Sequence, residues 1–254
     1  MHSRFDAFIR LRPPVSGELP LTHATDGFTL REVLDTDCLR TQECSVFGGE
    51  RLVYCFLGRA AYRANADEPP NALLAYAPVY FVLKPSTNLL PKRVFPFDTG
   101  GFIKFQEAMH HRMVVADFSL DPGNDSGRRV IHVYFGSNRR YIDNEPNAEP
   151  EIPALAFEAR GFHSLITDRQ RNSYDDRVSA IEVQFDRDVP LPGLAEAVVL
   201  PSVLLDDPAI KAKFAEWGAQ PLPYDLVARF KPVEYVSQIR TLIRDYLIGK
   251  GYLD

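Results

Sequence analysis

A chain of 254 residues, 45% of them hydrophobic, is large for one domain and small for two, and it reads as one α+β domain. The formal net charge of −5, from 29 basic and 34 acidic residues, excludes a wholly basic nucleic-acid coat but allows a local basic groove. No run is long and apolar enough to cross a bilayer, there is no signal-peptide apolar region at the start, and Cys38, Cys44 and Cys55 form no CxxC or Cys/His pattern. The expectation is a protein of the reducing cytoplasm, without a membrane or a structural zinc.

Residues 1–20, rich in Arg and Pro, read as an irregular lead-in. Leu21 begins a short strand, which Gly27 ends. Thr29-Leu-Arg-Glu32 has the form of a capping box, with Thr29 as N-cap of a helix whose apolar face is Leu30, Val33 and Leu34 and which stops before Leu39. His23 and Thr25, two apart on the strand, share a face and can address one ligand together. Alone, His23 reads as a surface or satisfied core histidine, and Thr25 equally as a turn-former.

Ser45–Gly49 is a turn leading into a buried strand, Leu52–Leu57, of β-branched and aromatic type. The strand breaks at Gly58, and behind it stand Arg59, Tyr62 and Arg63. Guanidinium groups there suit phosphates, and a tyrosine ring suits a flat heterocycle. Tyr54 either shapes a pocket wall or belongs to the core. Asn65–Asn71 reads as a loop and Val79–Leu83 as a strand. In Arg93–Phe102, Asp98 and the Gly100-Gly101 pair either approach a ligand closely or make a tight turn.

His110 and His111 would point in opposite directions on a strand, which makes them poor joint metal ligands. Val114–Phe118 and Val130–Phe135 read as strands separated by the loop Asp121–Gly127, and Asn144–Pro153 as an acidic connector. Gly161–Arg177 reads as a polar segment carrying Arg169, Arg171, Tyr174 and Arg177. Arg177–Phe185 follows as a strand, with Val178, Ala180, Glu182 and Gln184 on one face. A mid-strand carboxylate is costly unless paired or working; the plain alternative for Glu182 is an edge strand with one wet face. Val198–Leu204 is strand-like with Pro201 at an edge, Pro208–Trp217 is a helix, and Pro232–Tyr252 is an amphipathic packing helix, so residues 205–254 form a helical C-terminal part.

Three pieces, His23-Ala-Thr25, Val53–Arg63 and Ser179-Ala-Ile-Glu182, stand in an order that resembles the three-part signature of His-type ADP-ribosyltransferases. The likeness is strongest to DarT-like DNA ADP-ribosyltransferases and covers Leu21–Phe185. It departs at Gly58-Arg-Ala-Ala-Tyr62, where the serine of many members is missing. The resemblance implies a single domain over residues 1–254 with a split mixed/antiparallel β-sheet core flanked by helices. It implies cleavage of NAD+ at the nicotinamide–ribose bond and transfer of ADP-ribose to a macromolecule, nucleic acid ahead of protein, with NAD+ as co-substrate and no metal. The transition state is oxocarbenium-like, as in glycoside hydrolysis.

On that resemblance Glu182 is catalytic and bonds the ribose 2′-hydroxyl. Arg59 is the first choice for the arginine at the pyrophosphate or nicotinamide side, ahead of Arg63, with Arg40 and Arg51 as further candidates. His23 bonds the adenosine-side ribose with Thr25 beside it, Tyr62 stacks on nicotinamide, and Tyr54 is a wall. Arg169, Arg171, Tyr174 and Arg177 fall in the substrate-recognising loop. A toxin or phage-defence effector with an antitoxin or inhibitor partner is the implied setting. The competing readings are an NAD+ glycohydrolase and a non-catalytic binding or interaction module.

Overall fold

The computed structural model describes residues 3–61, 73–86, 88–123, 125–168, 176–227 and 231–253. The strands are β1 (Leu21–Asp26), β2 (Cys38–Leu39), β3 (Gln42–Glu43), β4 (Arg51–Leu57), β5 (Pro78–Leu83), β6 (Arg93–Phe95), β7 (Glu182–Phe185), β8 (Val189–Pro190), β9 (Ala195–Pro201) and β10 (Gln220–Tyr224). The helices are α1 (Arg4–Ile9), α2 (Gly27–Thr36), α3 (Phe102–Gln106), α4 (Ser126–Tyr134), α5 (Asn138–Ile142), α6 (Phe157–Thr167), α7 (Pro208–Trp217) and α8 (Val236–Gly249).

Eight strands make one open mixed sheet in the order β10-β9-β5-β1-β4-β7-β6, with β3 paired to β4. The pairings are antiparallel except β9–β10. All six residues of β5 are buried, as its unbroken apolar sequence requires of a strand covered on both faces. An aromatic cluster of Phe5, Phe118, Tyr134 and Phe162 ties α1, α4 and α6 together. Trp217 of α7 packs against Phe81 of β5. The main apolar core draws on residues from Phe5 to Leu253, and Phe56, Ala61 and Ala180 form a small second cluster. No described helix is long and apolar enough to cross a membrane.

Several local expectations are corrected. The lead-in holds a helix, α1, capped by Ser3 and burying Phe5, Phe8 and Ile9. The N-cap of α2 is Asp26, whose carboxylate accepts from Thr29 N at 2.8 Å, so the helix starts before Thr29. Val115–Phe118 is a 3-10 turn and Ser126–Tyr134 is helix α4; the β-branched Val130, Ile131 and Val133 are tolerated because they form its buried face. Helix α6 takes the first part of Gly161–Arg177. The strand expected from Arg177 begins only at Glu182, behind a 3-10 turn over Asp176–Ser179. Strand β9 lies inside the sheet, with Pro201 at its end, and the C-terminal part contains strand β10 as well as helices. His110 and His111 are not on a strand; their rings stack with centroids 4.4 Å apart.

Candidate functional site

The strands carrying His23, the aromatic run and Glu182 are far apart in the chain and consecutive in the sheet: β1, β4, β7. β1 pairs with β5 along all six residues. With β4 it pairs only at Leu21↔Leu57 and Thr22↔Phe56. From His23 onward β1 and β4 therefore part. A cavity of about 640 Å³ lies at the parting, lined by His23, Thr25, Tyr54 and α2 from Phe28 to Thr36. That volume lies in the range of small-molecule and cofactor sites.

His23 reaches across the gap. Its Nδ1 is 2.8 Å from the Tyr54 carbonyl oxygen. A carbonyl only accepts, so Nδ1 carries the proton and the neutral ring keeps Nε2 as an acceptor. Burial lowers the His23 pKa, opposed by the bond to Tyr54, and the neutral form is held at pH 7. Such a ring suits a hydroxyl donor on a ligand. Thr25 stands half-buried at the same cavity. At the cavity Phe28 is 62% exposed, with the Arg31 guanidinium 4.8 Å over its ring. Sequence reasoning passed over both; the signal was a phenylalanine in a first helical turn, off the apolar stripe. Arg40 also lines the cavity, held to Glu32 at 3.3 Å, whereas Arg51 bonds the Thr41 carbonyl.

Tyr54 is fixed at both ends. Its carbonyl takes His23, and its hydroxyl lies 2.6 Å from Cys44 Sγ. Burial, then Cys44, raises its pKa. Across β4, Tyr54 pairs with Gln184 and Phe56 with Glu182.

Glu182 does not line the His23 cavity. It is 1% exposed, on an interior strand rather than a wet edge. Thr99 N donates to Oε2 at 3.0 Å, Thr99 Oγ1 to Oε1 at 2.8 Å, and Gln184 Nε2 to Oε1 at 2.6 Å. Burial, helped by the charge of Asp98, pushes its pKa up to about 8 against these three donors. The loop holding Thr99 is shaped by Asp98, which accepts from Gly100 N at 2.8 Å, so Gly100-Gly101 make a tight turn that closes over the carboxylate. Arg177 reaches the same Asp98 at 3.4 Å.

Arg59 does not line the cavity at His23, and its carbonyl accepts from the hydroxyl of Thr22, the residue before His23 in β1. Gly58, at φ +66°, turns the chain where a Cβ would meet Ile142 and Leu19, and Arg59 is buried at 4% exposure. Its guanidinium donates to Ser179 Oγ at 2.6 Å, Asn144 Oδ1 at 3.1 Å and the Tyr141 carbonyl. It also lies 4.4 Å over the Tyr141 ring. These bonds tie the end of β4 to the segments around α5 and before β7. Tyr62, Arg63, Arg169, Arg171 and Tyr174 lie outside the described residues.

Among the described residues no cluster of three or more His, Cys, Asp or Glu could hold a metal. No protein-family model matches the chain, and neither a curated protein nor a solved structure matches it.

Proposed function

We propose that the chain is an NAD+-dependent ADP-ribosyltransferase. One observation carries this reading: His23 and Thr25, the run Val53–Leu57, and Glu182, which stands more than a hundred residues beyond the other two, lie on adjacent strands of one sheet, and that sheet opens between the first two. The cavity at the opening suits the adenosine half of the dinucleotide. The neutral His23 ring accepts from a ribose hydroxyl through Nε2, and Thr25 contacts the same half. Glu182, one strand further on, is the carboxylate that would face positive charge growing at the anomeric carbon. For that, the Thr99 and Gln184 bonds to its oxygens must yield one position to the ribose 2′-hydroxyl. Arg59 has a positioning role here, since it fixes Ser179, three residues before Glu182. Nucleic acid is the preferred acceptor, by likeness alone.

One feature favours a non-catalytic binding module instead: both oxygens of Glu182 are engaged and the group is buried. The discriminating measurement is nicotinamide release from NAD+ with DNA, RNA or protein extract added. The expected result is release and a labelled macromolecule, with Glu182→Gln lowering the rate at least about a hundredfold, on the scale of losing one preorganised electrostatic group. Free ADP-ribose as sole product assigns a glycohydrolase. No release under any condition, or full activity in the Gln variant, sinks the enzymatic reading.

A further inference from the structure

The cavity at His23 has one wall that neither His23 nor Thr25 explains. Phe28 and Arg31 line it from α2. Residues at i and i+3 are neighbours on a helix surface. The core-facing residues of α2 are Leu30 and Val33, so neither Phe28 nor Arg31 serves the packing of the helix. Burying a phenylalanine stabilises a fold by about 1.5–3 kcal/mol, yet Phe28 is left 62% exposed at the edge of a cavity. Its backbone is nonetheless held on both sides. Gly27 N donates to the Ala77 carbonyl at 2.9 Å, and Thr29 N donates to the Asp26 carboxylate at 2.8 Å. The ring is therefore presented from a fixed place, which lowers the cost of ordering it on binding.

The Arg31 guanidinium lies 4.8 Å over the Phe28 ring, and among the described residues it has no ion pair or hydrogen bond. Glu32 and Arg40, also at the cavity, hold each other at 3.3 Å. Asp35 stands further along α2, ~10 Å along the axis from Phe28. The uncompensated charge beside the exposed ring is therefore positive. An aromatic ring takes a flat heterocycle by stacking, and a guanidinium takes phosphate oxygens by two-point bonds. A nucleotide joins those two groups through one ribose, and the neutral His23 ring offers that ribose an acceptor. Acceptor, ring and cation around one cavity thus match ribose, base and phosphate of one nucleotide.

We infer that Phe28 and Arg31 set the ligand specificity of this cavity: Phe28 stacks on the base of an adenine nucleotide, and Arg31 holds a phosphate borne by the same nucleoside. The inference rests on the reading of the cavity as the seat of the adenosine half, and not on cleavage of NAD+. The phosphate is either the 5′-linked one of NAD+ or the extra one on the ribose of NADP+, and both offer the guanidinium the same oxygens.

The test is calorimetric titration of the full chain with adenosine, adenosine 5′-monophosphate and adenosine 2′-monophosphate, in wild type, Phe28→Ala, Phe28→Tyr and Arg31→Gln. Both side chains are exposed, so the ligand-free melting temperature should not move. In wild type at least one monophosphate should bind about tenfold tighter than adenosine, and Arg31→Gln should remove that difference while still binding adenosine. Phe28→Ala should weaken all three ligands about tenfold, on the scale of one stacked base, and Phe28→Tyr, which keeps a ring, should restore them. Tighter binding of the 5′-monophosphate places the pyrophosphate of NAD+ at Arg31; tighter binding of the 2′-monophosphate makes NADP+ the preferred dinucleotide. Phe28→Ala binding like wild type overturns the inference, as does a phosphate preference that survives in Arg31→Gln, or no binding of any of the three. Adenosine binding lost in His23→Ala but kept in full by Phe28→Ala preserves the reading of the cavity and removes the role of the pair. Absence of nicotinamide release with these binding differences intact removes the enzymatic reading and upholds the pair.

Discussion

Glu182 sets a conflict between folding and the proposed chemistry. Its ordinary pKa of 4.5 rises to about 8, chiefly through burial and then through Asp98. In the folded protein the carboxyl therefore holds its proton up to about pH 8, whereas in the unfolded chain it loses it near 4.5. Between those values the folded state binds more protons, so stability falls as pH rises. The contribution is fully present below 4.5 and fully lost above 8. Wild type should lose stability from pH 5 to pH 9 by a few kcal/mol more than Glu182→Gln, which cannot ionise. Urea melts of both proteins at the two pH values check this; parallel pH dependence would show that the carboxyl is not held neutral. The proposed activity needs the ionised form, so nicotinamide release should climb with pH towards a plateau above about 8. The sequence did reveal that this carboxylate is special, because it stands beside small and apolar residues. It did not reveal Thr99, a partner 83 positions away. Arg59 is the opposite case: a glycine–arginine step at a strand end read as a place for phosphates, and the acceptors that hold its guanidinium, Tyr141, Asn144 and Ser179, come from 82 to 120 residues along the chain. Local pattern cannot report such contacts.

At the scale of elements, the central strands were legible and several flanking helices were not. β4 and β5 are continuous apolar runs bounded by breakers, and such runs allow few other fates. α4 carries Val130, Ile131 and Val133 in a short apolar run, so β-propensity competed with helical spacing; burial of that face against α1 and the sheet decided the outcome. The start of α2 gives a sharper lesson. Thr29 and Glu32 have capping-box spacing, yet the carboxylate of Asp26 bonds Thr29 N and starts the helix earlier. Asp and Thr are both good caps, and the end of β1 at Asp26 selects between them. Asp26→Ala should cost about 1 kcal/mol, and Thr29→Ala clearly less, in denaturant unfolding. Equal costs would return the cap to Thr29. Since α2 lines the His23 cavity, the Asp26 variant should also loosen any ligand held there.

At the scale of the molecule, the parting of β1 from β4 sits inside a sheet whose core is shared from Phe5 to Leu253. A ligand in the opening therefore reports on the stability of the whole core. Binding only to the folded state adds RT ln(1 + [L]/Kd), about 2.7 kcal/mol at a hundredfold excess over Kd. NAD+ should accordingly raise one cooperative melting transition, and the rise should grow with the logarithm of its concentration. His23 and Glu182 then separate, because one is assigned to holding the dinucleotide and the other to the bond that breaks. His23→Ala removes an acceptor at the cavity wall and the bond to the Tyr54 carbonyl, so the NAD+-dependent rise should shrink sharply. Glu182→Gln keeps the cavity, so the rise should persist while nicotinamide release is lost. The opposite pattern, with the rise lost in Glu182→Gln and kept in His23→Ala, would move the dinucleotide out of the opening and towards the closed loop around Thr99. If neither variant changes the rise, NAD+ binds at some third place, and the adjacency of the three strands has no bearing on it.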